Sequence, residues 1–250
     1  MSRASVLLLI AIPLPPGALD QVGPLVDEHR ADTPWGSVGP AARRRTASGD
    51  LLILPYSGSP HRTDPRATIW AAREWGVERV IGWDSGVALN PLLRRGEIVL
   101  LSDYIDQTRR QPGVLFEDRP LGWLPPMPGF CPEVRGVLAA ALPGARDGAL
   151  YLALDSARRE TAAEARLYRA WGVDVSGQNL VPEAALAKEL GLCLAGLVVV
   201  TEVAADLPQP PPRGEVREAT RRLIEAIPHV ITALPSVPRC ACARSQREGN

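Results

Sequence analysis

The chain has 250 residues, a formal net charge of zero and an apolar fraction of 46%. The balanced charge gives no general attraction to nucleic acid or to an anionic membrane. The length and apolar content suit one large α/β domain or two small ones. Lys188 is the only lysine, so arginine carries nearly all of the positive charge. Its two clusters, Arg43-Arg44-Arg45 and Arg158-Arg159, are too short to read as nucleic-acid arms.

Residues 6–12 are apolar but too short to span a membrane, and they lack the charged start and long apolar middle of a signal peptide. They read as a buried first strand, and the cytoplasm is the expected location. A second strand is predicted over 51–55 and a helix over 65–75, closed by Gly76 before a third strand at 80–83. Residues 98–104 predict a fourth strand, and the Pro- and Gly-rich stretch 111–128 predicts irregular chain. A helix over 132–142 opens at Pro132, where a missing N–H costs least, and leads to a strand at 149–154. The segment 162–171 sets Ala163, Leu167, Ala170 and Trp171 along one stripe, the spacing of an amphipathic helix. After Gly172, a helix over 182–190 opens at Pro182, and after Gly191 a strand is predicted at 197–203. The proline-rich run 208–214 reads as a stiff loop before a last helix at 215–226, and the tail from Val237 reads as disordered. Alternating strands and helices argue for an α/β fold. No internal repeat and no boundary divides the core, so one domain over 1–236 and a tail over 237–250 are expected.

Cys131 and Cys193 sit in apolar surroundings and read as packing groups. Cys240 and Cys242 form a C-x-C that could bind metal or oxidise, but no second Cys/His pair stands near it in sequence to complete a tetrahedral zinc site. No metal site is therefore expected.

Residues 164–175 read Glu-Ala-Arg-Leu-Tyr-Arg-Ala-Trp-Gly-Val-Asp-Val and are followed by Val181-Pro182-Glu183, Leu186-Ala187-Lys188-Glu189 and Gly191-Leu192-Cys193. Upstream stand Asp32-Thr33-Pro34-Trp35-Gly36, Ile69-Trp70-Ala71, Glu74-Trp75-Gly76-Val77, Gly96-Glu97-Ile98-Val99, Asp103-Tyr104-Ile105-Asp106-Gln107-Thr108 and Pro128-Gly129-Phe130-Cys131-Pro132. In order and spacing these segments resemble the 5'-methylthioadenosine phosphorylase branch of the trimeric purine nucleoside phosphorylase family, from the first strand to the last helix. The resemblance implies an α/β fold with a mixed central sheet flanked by helices, a purine nucleoside ligand, no organic cofactor and a homotrimer. It also makes Trp123, in the loop near the neighbouring subunit, a candidate donated side chain.

Phosphorolysis of a nucleoside needs an anion held beneath C1' and a proton or hydrogen bond for the departing base. The family's glycine-rich phosphate turn corresponds here to Ala11-Ile12-Pro13-Leu14-Pro15-Pro16, whose three prolines lack N–H donors. Its Arg-His-Gly element corresponds to Tyr56-Ser57-Gly58, with His61 retained nearby. Its hydroxyl-bearing third element becomes Trp83-Asp84-Ser85. A carboxylate there would repel phosphate by on the order of several kcal/mol in a dry site. On the nucleoside side, Glu-Gly-Pro-Arg-Phe becomes Asp155-Ser156-Ala157-Arg158-Arg159, Asn-Met-Thr becomes Gly177-Gln178-Asn179, and Thr-Asp-Tyr-Asp becomes Thr201-Glu202-Val203-Ala204. Inorganic phosphate thus loses its expected host.

Three readings follow. In the first, the chain cleaves or transfers at the N-glycosidic bond of a purine-type, 5'-modified nucleoside with water or another acceptor. Asp84 would then be the base, Glu202 the acid, and Ser57, His61, Trp83, Ser85, Asp155, Gln178, Asn179 and Trp123 would line the ligand. The alternative for the two acids is that Asp84 caps the following turn and Glu202 faces solvent. In the second reading the chain is a non-catalytic nucleoside-binding or assembly paralogue. In the third it is a phosphorylase with relocated donors such as His61, Arg62 or Arg158.

Overall fold

The computed structural model describes residues 6–56, 63–116, 128–155 and 158–243. The first strand, β1 (Val6–Ile10), is buried along its whole length because it lies between two parallel neighbours, β4 (Gly49–Pro55) and β5 (Arg79–Ala88). Helices cover such strands on both faces, so apolar residues run without alternation. On the far side of β5 lies another parallel partner, β9 (Cys193–Val203), which is equally apolar as far as Val200.

Five more strands complete the sheet. A hairpin of β2 (Leu25–Thr33) and β3 (Gly36–Thr46) extends one edge through β4, while β6 (Ile98–Asp106), β7 (Arg146–Ala153) and β8 (Val175–Gly177) follow on the other side. The strand order is β2-β3-β4-β1-β5-β8-β7-β6-β9, and β9 returns to pair with β5. Strands β5, β8, β7, β6 and β9 therefore close into a ring, with parallel and antiparallel pairs mixed. Helix α1 (Pro65–Glu74) packs on β2, β3 and α4 (Glu183–Glu189), whereas α2 (Pro132–Ala141) and α5 (Val216–Ala233) cover the other side of the sheet. The fold is the expected α/β architecture with a mixed central sheet flanked by helices. Among the described residues no helix is long and apolar enough to cross a membrane.

All predicted strands and helices are present, with differences that have physical causes. The hairpin β2–β3 carries no apolar run. It is held instead by Arg43 on Asp27 and Asp50, and its turn is closed by Thr33 Oγ1 donating to Gly36 O at 2.7 Å. Helix α5 runs through Pro228 to Ala233, because Leu223, Ile224, Ile227 and Val230 are buried on one face and offset the roughly 3 kcal/mol an interior proline costs. On α3 (Ala162–Ala170) the apolar stripe faces outward. Leu167 and Trp171 are 49% and 44% exposed, Ala163 and Ala170 are exposed too, and Ala165 alone is buried.

In the described part of the C-terminal tail, a short 3-10 turn spans Ala241–Ala243 and Cys242 is buried. The C-x-C that lacked partners in sequence meets Cys131 and Cys193 in space.

Strands β5 and β8 approach closely at Gly86, where a Cβ would lie 2.5 Å from Ser176 O and 2.7 Å from Val198 Cγ1. Gly86→Ala is expected to cost about 1–3 kcal/mol through this overlap. A urea midpoint equal to that of the parent would refute so tight a backbone contact.

Candidate functional site

Strands β4, β1, β5 and β9 are parallel, so their C-terminal ends share one edge of the sheet, where open α/β sheets place their ligands. Backbone bonds align these ends: Ala11 N donates to Trp83 O at 2.8 Å and Tyr56 N to Ile10 O at 2.7 Å. The site is built from what these strand ends carry.

Asp84 lies in β5 and is fully buried. Its Oδ2 accepts from Tyr151 Oη at 2.7 Å, from Gln178 N at 2.9 Å and from Asn179 N at 3.2 Å. Its Oδ1 accepts from Asn179 Nδ2 at 2.7 Å and from Ser85 N at 2.8 Å. A carboxylate offers about four lone-pair positions, so these donors saturate it. Burial lifts the Asp84 carboxyl above its ordinary range, and the Asn179, Tyr151 and backbone donors oppose the shift. Tyr151 keeps its proton, because burial and the Asp84 charge both push its phenol well above the usual value. Gly177 makes this approach possible: a Cβ there would stand 2.3 Å from Asp84 Oδ2 and 2.7 Å from Tyr151 Oη.

A second buried carboxyl belongs to Glu183, the first residue of α4, which is 4% exposed. Tyr56 Oη donates to its Oε1 at 2.6 Å, while Oε2 has no hydrogen-bond partner among the described residues. Burial raises Glu183 to about 7, with the charge of Asp84 adding to the rise and the Tyr56 hydrogen bond opposing it. Asn179 Oδ1 is likewise buried without a partner among the described residues. Two acceptor atoms thus remain unspent in a buried layer that already holds two carboxyls and two phenols.

The residues singled out from sequence divide into three groups. Asp84, Gln178 and Asn179 come together as described. Trp83 does not join them: alternation along β5 turns it to the opposite face, into the core under α2 and α5, and Ser85 shares that face. Asp155 is buried, and its Oδ2 accepts from Arg109 N at 2.7 Å and Arg110 N at 2.6 Å, so it fastens the segment after β6. Ser57, His61 and Trp123 lie outside the described residues.

Glu202 does not pair with Asp84 as an acid/base couple. Asp84 lies opposite Val198 in the β5–β9 register, four residues before Glu202, about 13 Å along the strand. Carboxyls that share one glycosidic bond stand within about 10 Å of each other. The Glu202 side chain is 58% exposed and forms an ion pair with Arg159. It lines a surface cleft of about 500 Å³ with Arg95, Glu160, Thr201 and Gln209. With its lone pairs saturated, Asp84 also has none left to orient a nucleophile.

The phosphorylase superfamily model matches residues 8–234. This chain belongs to the phosphorylase superfamily. Within it, the purine nucleoside and methylthioadenosine phosphorylases are its relatives. The probable S-methyl-5'-thioinosine phosphorylase of Methanopyrus kandleri is 33% identical over 196 residues, covering 74% of this chain and 76% of the relative. The 6-oxopurine nucleoside phosphorylase of Pyrococcus furiosus is 36% identical over 236 residues, covering 86% and 89%. Among solved structures, methylthioadenosine phosphorylase from Schistosoma mansoni in complex with tubercidin superposes with a TM-score of 0.81 at 20% identity, covering 98% of this chain and 96% of that one. At that identity the likeness is one of fold.

Glu183, Tyr56 and Tyr151 were not singled out from sequence as site residues. Glu183 stood in plain view within Val181-Pro182-Glu183, and a carboxyl beginning a helix reads as a favourable first-turn acid until its burial is known. Its titration has a measurable consequence. The folded state holds the Glu183 proton to about pH 7, while the unfolded chain releases it near 4.5, so stability is full below 4.5 and falls as pH rises to about 7. That decline amounts to about 3 kcal/mol. Glu183→Gln is expected to flatten it in chemical denaturation at pH 5 and pH 7, and an unchanged pH dependence would place the titrating group elsewhere.

Proposed function

We propose that this member of the superfamily binds a purine nucleoside and cleaves its N-glycosidic bond with water in place of inorganic phosphate. The observation that carries the reading is the saturated Asp84 carboxylate. It stands where the resemblance puts a phosphate element, and the amides of Ser85, Gln178 and Asn179 already donate to it. A fixed internal anion satisfies donors that a free anion would otherwise use and repels a second negative charge in the same dry layer. The prolines at 13, 15 and 16 remove further N–H groups from the end of β1.

Glu183 is the group to which we assign the proton transfer. A carboxyl that titrates near neutrality, with one oxygen held by Tyr56 and the other unspent, can take a proton from an attacking water as the C1'–N bond breaks and the base departs with its electrons. Asp84 is a positioning residue that holds Tyr151, Asn179 and the segment before α4. The preference for a purine base, with or without a 5'-methylthio group, is taken from the relatives' activities.

Those same activities favour a second reading, ordinary phosphorolysis. Base release from inosine, adenosine and their 5'-methylthio analogues, followed with and without phosphate, separates the two. Equal rates in both buffers, with at least a hundredfold loss in Glu183→Gln, are expected. Phosphate stimulation of tenfold or more would replace this reading with the second. Ligand-induced stabilisation without turnover would leave a binding protein.

The assembly we propose is a homotrimer, supported by the outward apolar face of Leu167 and Trp171 on and just after α3. Light scattering after size exclusion should give three times the 26.9 kDa chain mass. A chain that stays monomeric at micromolar concentration would exclude it.

A further inference from the structure

We propose that Cys131, Cys193, Cys240 and Cys242 form a structural tetrathiolate zinc site that pins the C-terminal segment to the body of the domain. The sulfur atoms of these residues all lie within 4.8 Å of one another. A tetrahedral zinc with bonds of about 2.3 Å sets its sulfurs about 3.8 Å apart, so only small side-chain adjustments separate this cluster from a complete coordination shell. Cys193 Sγ and Cys240 Sγ are 3.2 Å apart, beyond the roughly 2.05 Å of a covalent bridge, and none of the four cysteines is disulfide-bonded.

The four thiols come from three separate places in the fold. Cys131 is the N-cap of α2, Cys193 is the first residue of β9, and Cys240 and Cys242 come from the chain after α5. The helix that starts at Cys131 favours negative charge at its N-terminus, and Cys131 N is already spent on Leu194 O at 2.7 Å. Cys131, Cys193 and Cys242 are 1%, 0% and 4% exposed. Such burial suits a closed site in which all four positions belong to protein, the structural rather than the catalytic form. Four soft sulfur donors select zinc over the hard divalent cations. Binding would release the thiol protons and leave a doubly negative centre, with the ammonium of Lys188 within electrostatic reach of Cys242.

Other contacts also reach the tail: Arg79 Nη2 donates to Pro235 O at 2.5 Å and Arg239 N to Glu133 Oε2 at 2.8 Å, while Val237 is 66% exposed. The sulfur cluster faces the core layer under α2 and α5, away from Asp84, so the metal serves the fold and takes no part in the chemistry proposed above.

Metal analysis of the full chain, purified reduced and without chelator, tests the proposal. About one zinc per chain is expected, and the zinc-free protein reconstituted with cobalt should show the intense visible bands of tetrahedral cobalt thiolate. Cys240→Ser with Cys242→Ser should abolish both signals, and chelation should lower the Tm of the parent by about 5 °C or more. Cobalt reconstitution of the unmutated chain keeps the test decisive if the double variant fails to fold. Absence of zinc together with absence of cobalt bands would overturn the proposal. So would a non-reduced mass lower by two hydrogens per cysteine pair, the mark of disulfides.

Discussion

The rest of the site depends on how the Asp84 carboxylate is satisfied. A charge with no exposure to water is tolerable only if its lone pairs are met, and here a phenol, a side-chain amide and three backbone N–H groups meet them. Those donors come from β5 itself, from β7 and from the link between β8 and α4. One side chain therefore sets the distance between three elements of the closed ring, and through the Gln178–Asn179 backbone it fixes where α4 begins. Glu183 stands at that point.

Two acids in one buried layer reach different states because their partners differ. Asp84 is surrounded by donors that favour the charged form, and these counter the cost of burial. Glu183 is raised by its burial, with Tyr56 and a backbone N–H opposing and the negative charge of Asp84 adding to the rise, so it holds its proton to near neutrality. Separating two carboxyls in this way is a general route to placing a fixed anion beside a group that can exchange a proton at neutral pH.

The two faces of the sheet have separate duties. The face that holds Tyr151, Val198 and α4 carries the polar cluster, while the face under α2 and α5 carries Trp83 and the cysteines. Alternation along β5 makes this separation unavoidable, since Trp83 and Asp84 are adjacent and must point to opposite layers.

Much of the fold was legible because buried parallel strands need unbroken apolar runs, and residues 6–10 and 197–200 display them. Caps and breakers such as Pro132, Gly172 and Gly191 marked helix ends for equally local reasons. The hairpin β2–β3 was not legible, since arginine–carboxylate pairs across strands leave no hydrophobic period. Family motifs pointed to Asp84, Gln178 and Asn179, which the fold brings into hydrogen-bonding contact. What only the tertiary structure decided was direction and company. Glu202 turns to Arg159 at the surface, the stripe of α3 faces outward, Glu183 is buried against Tyr56, and four cysteines distant in sequence converge. Local sequence sets backbone preference and periodicity, whereas burial, charge state and the convergence of distant side chains arise from contacts between residues tens of positions apart.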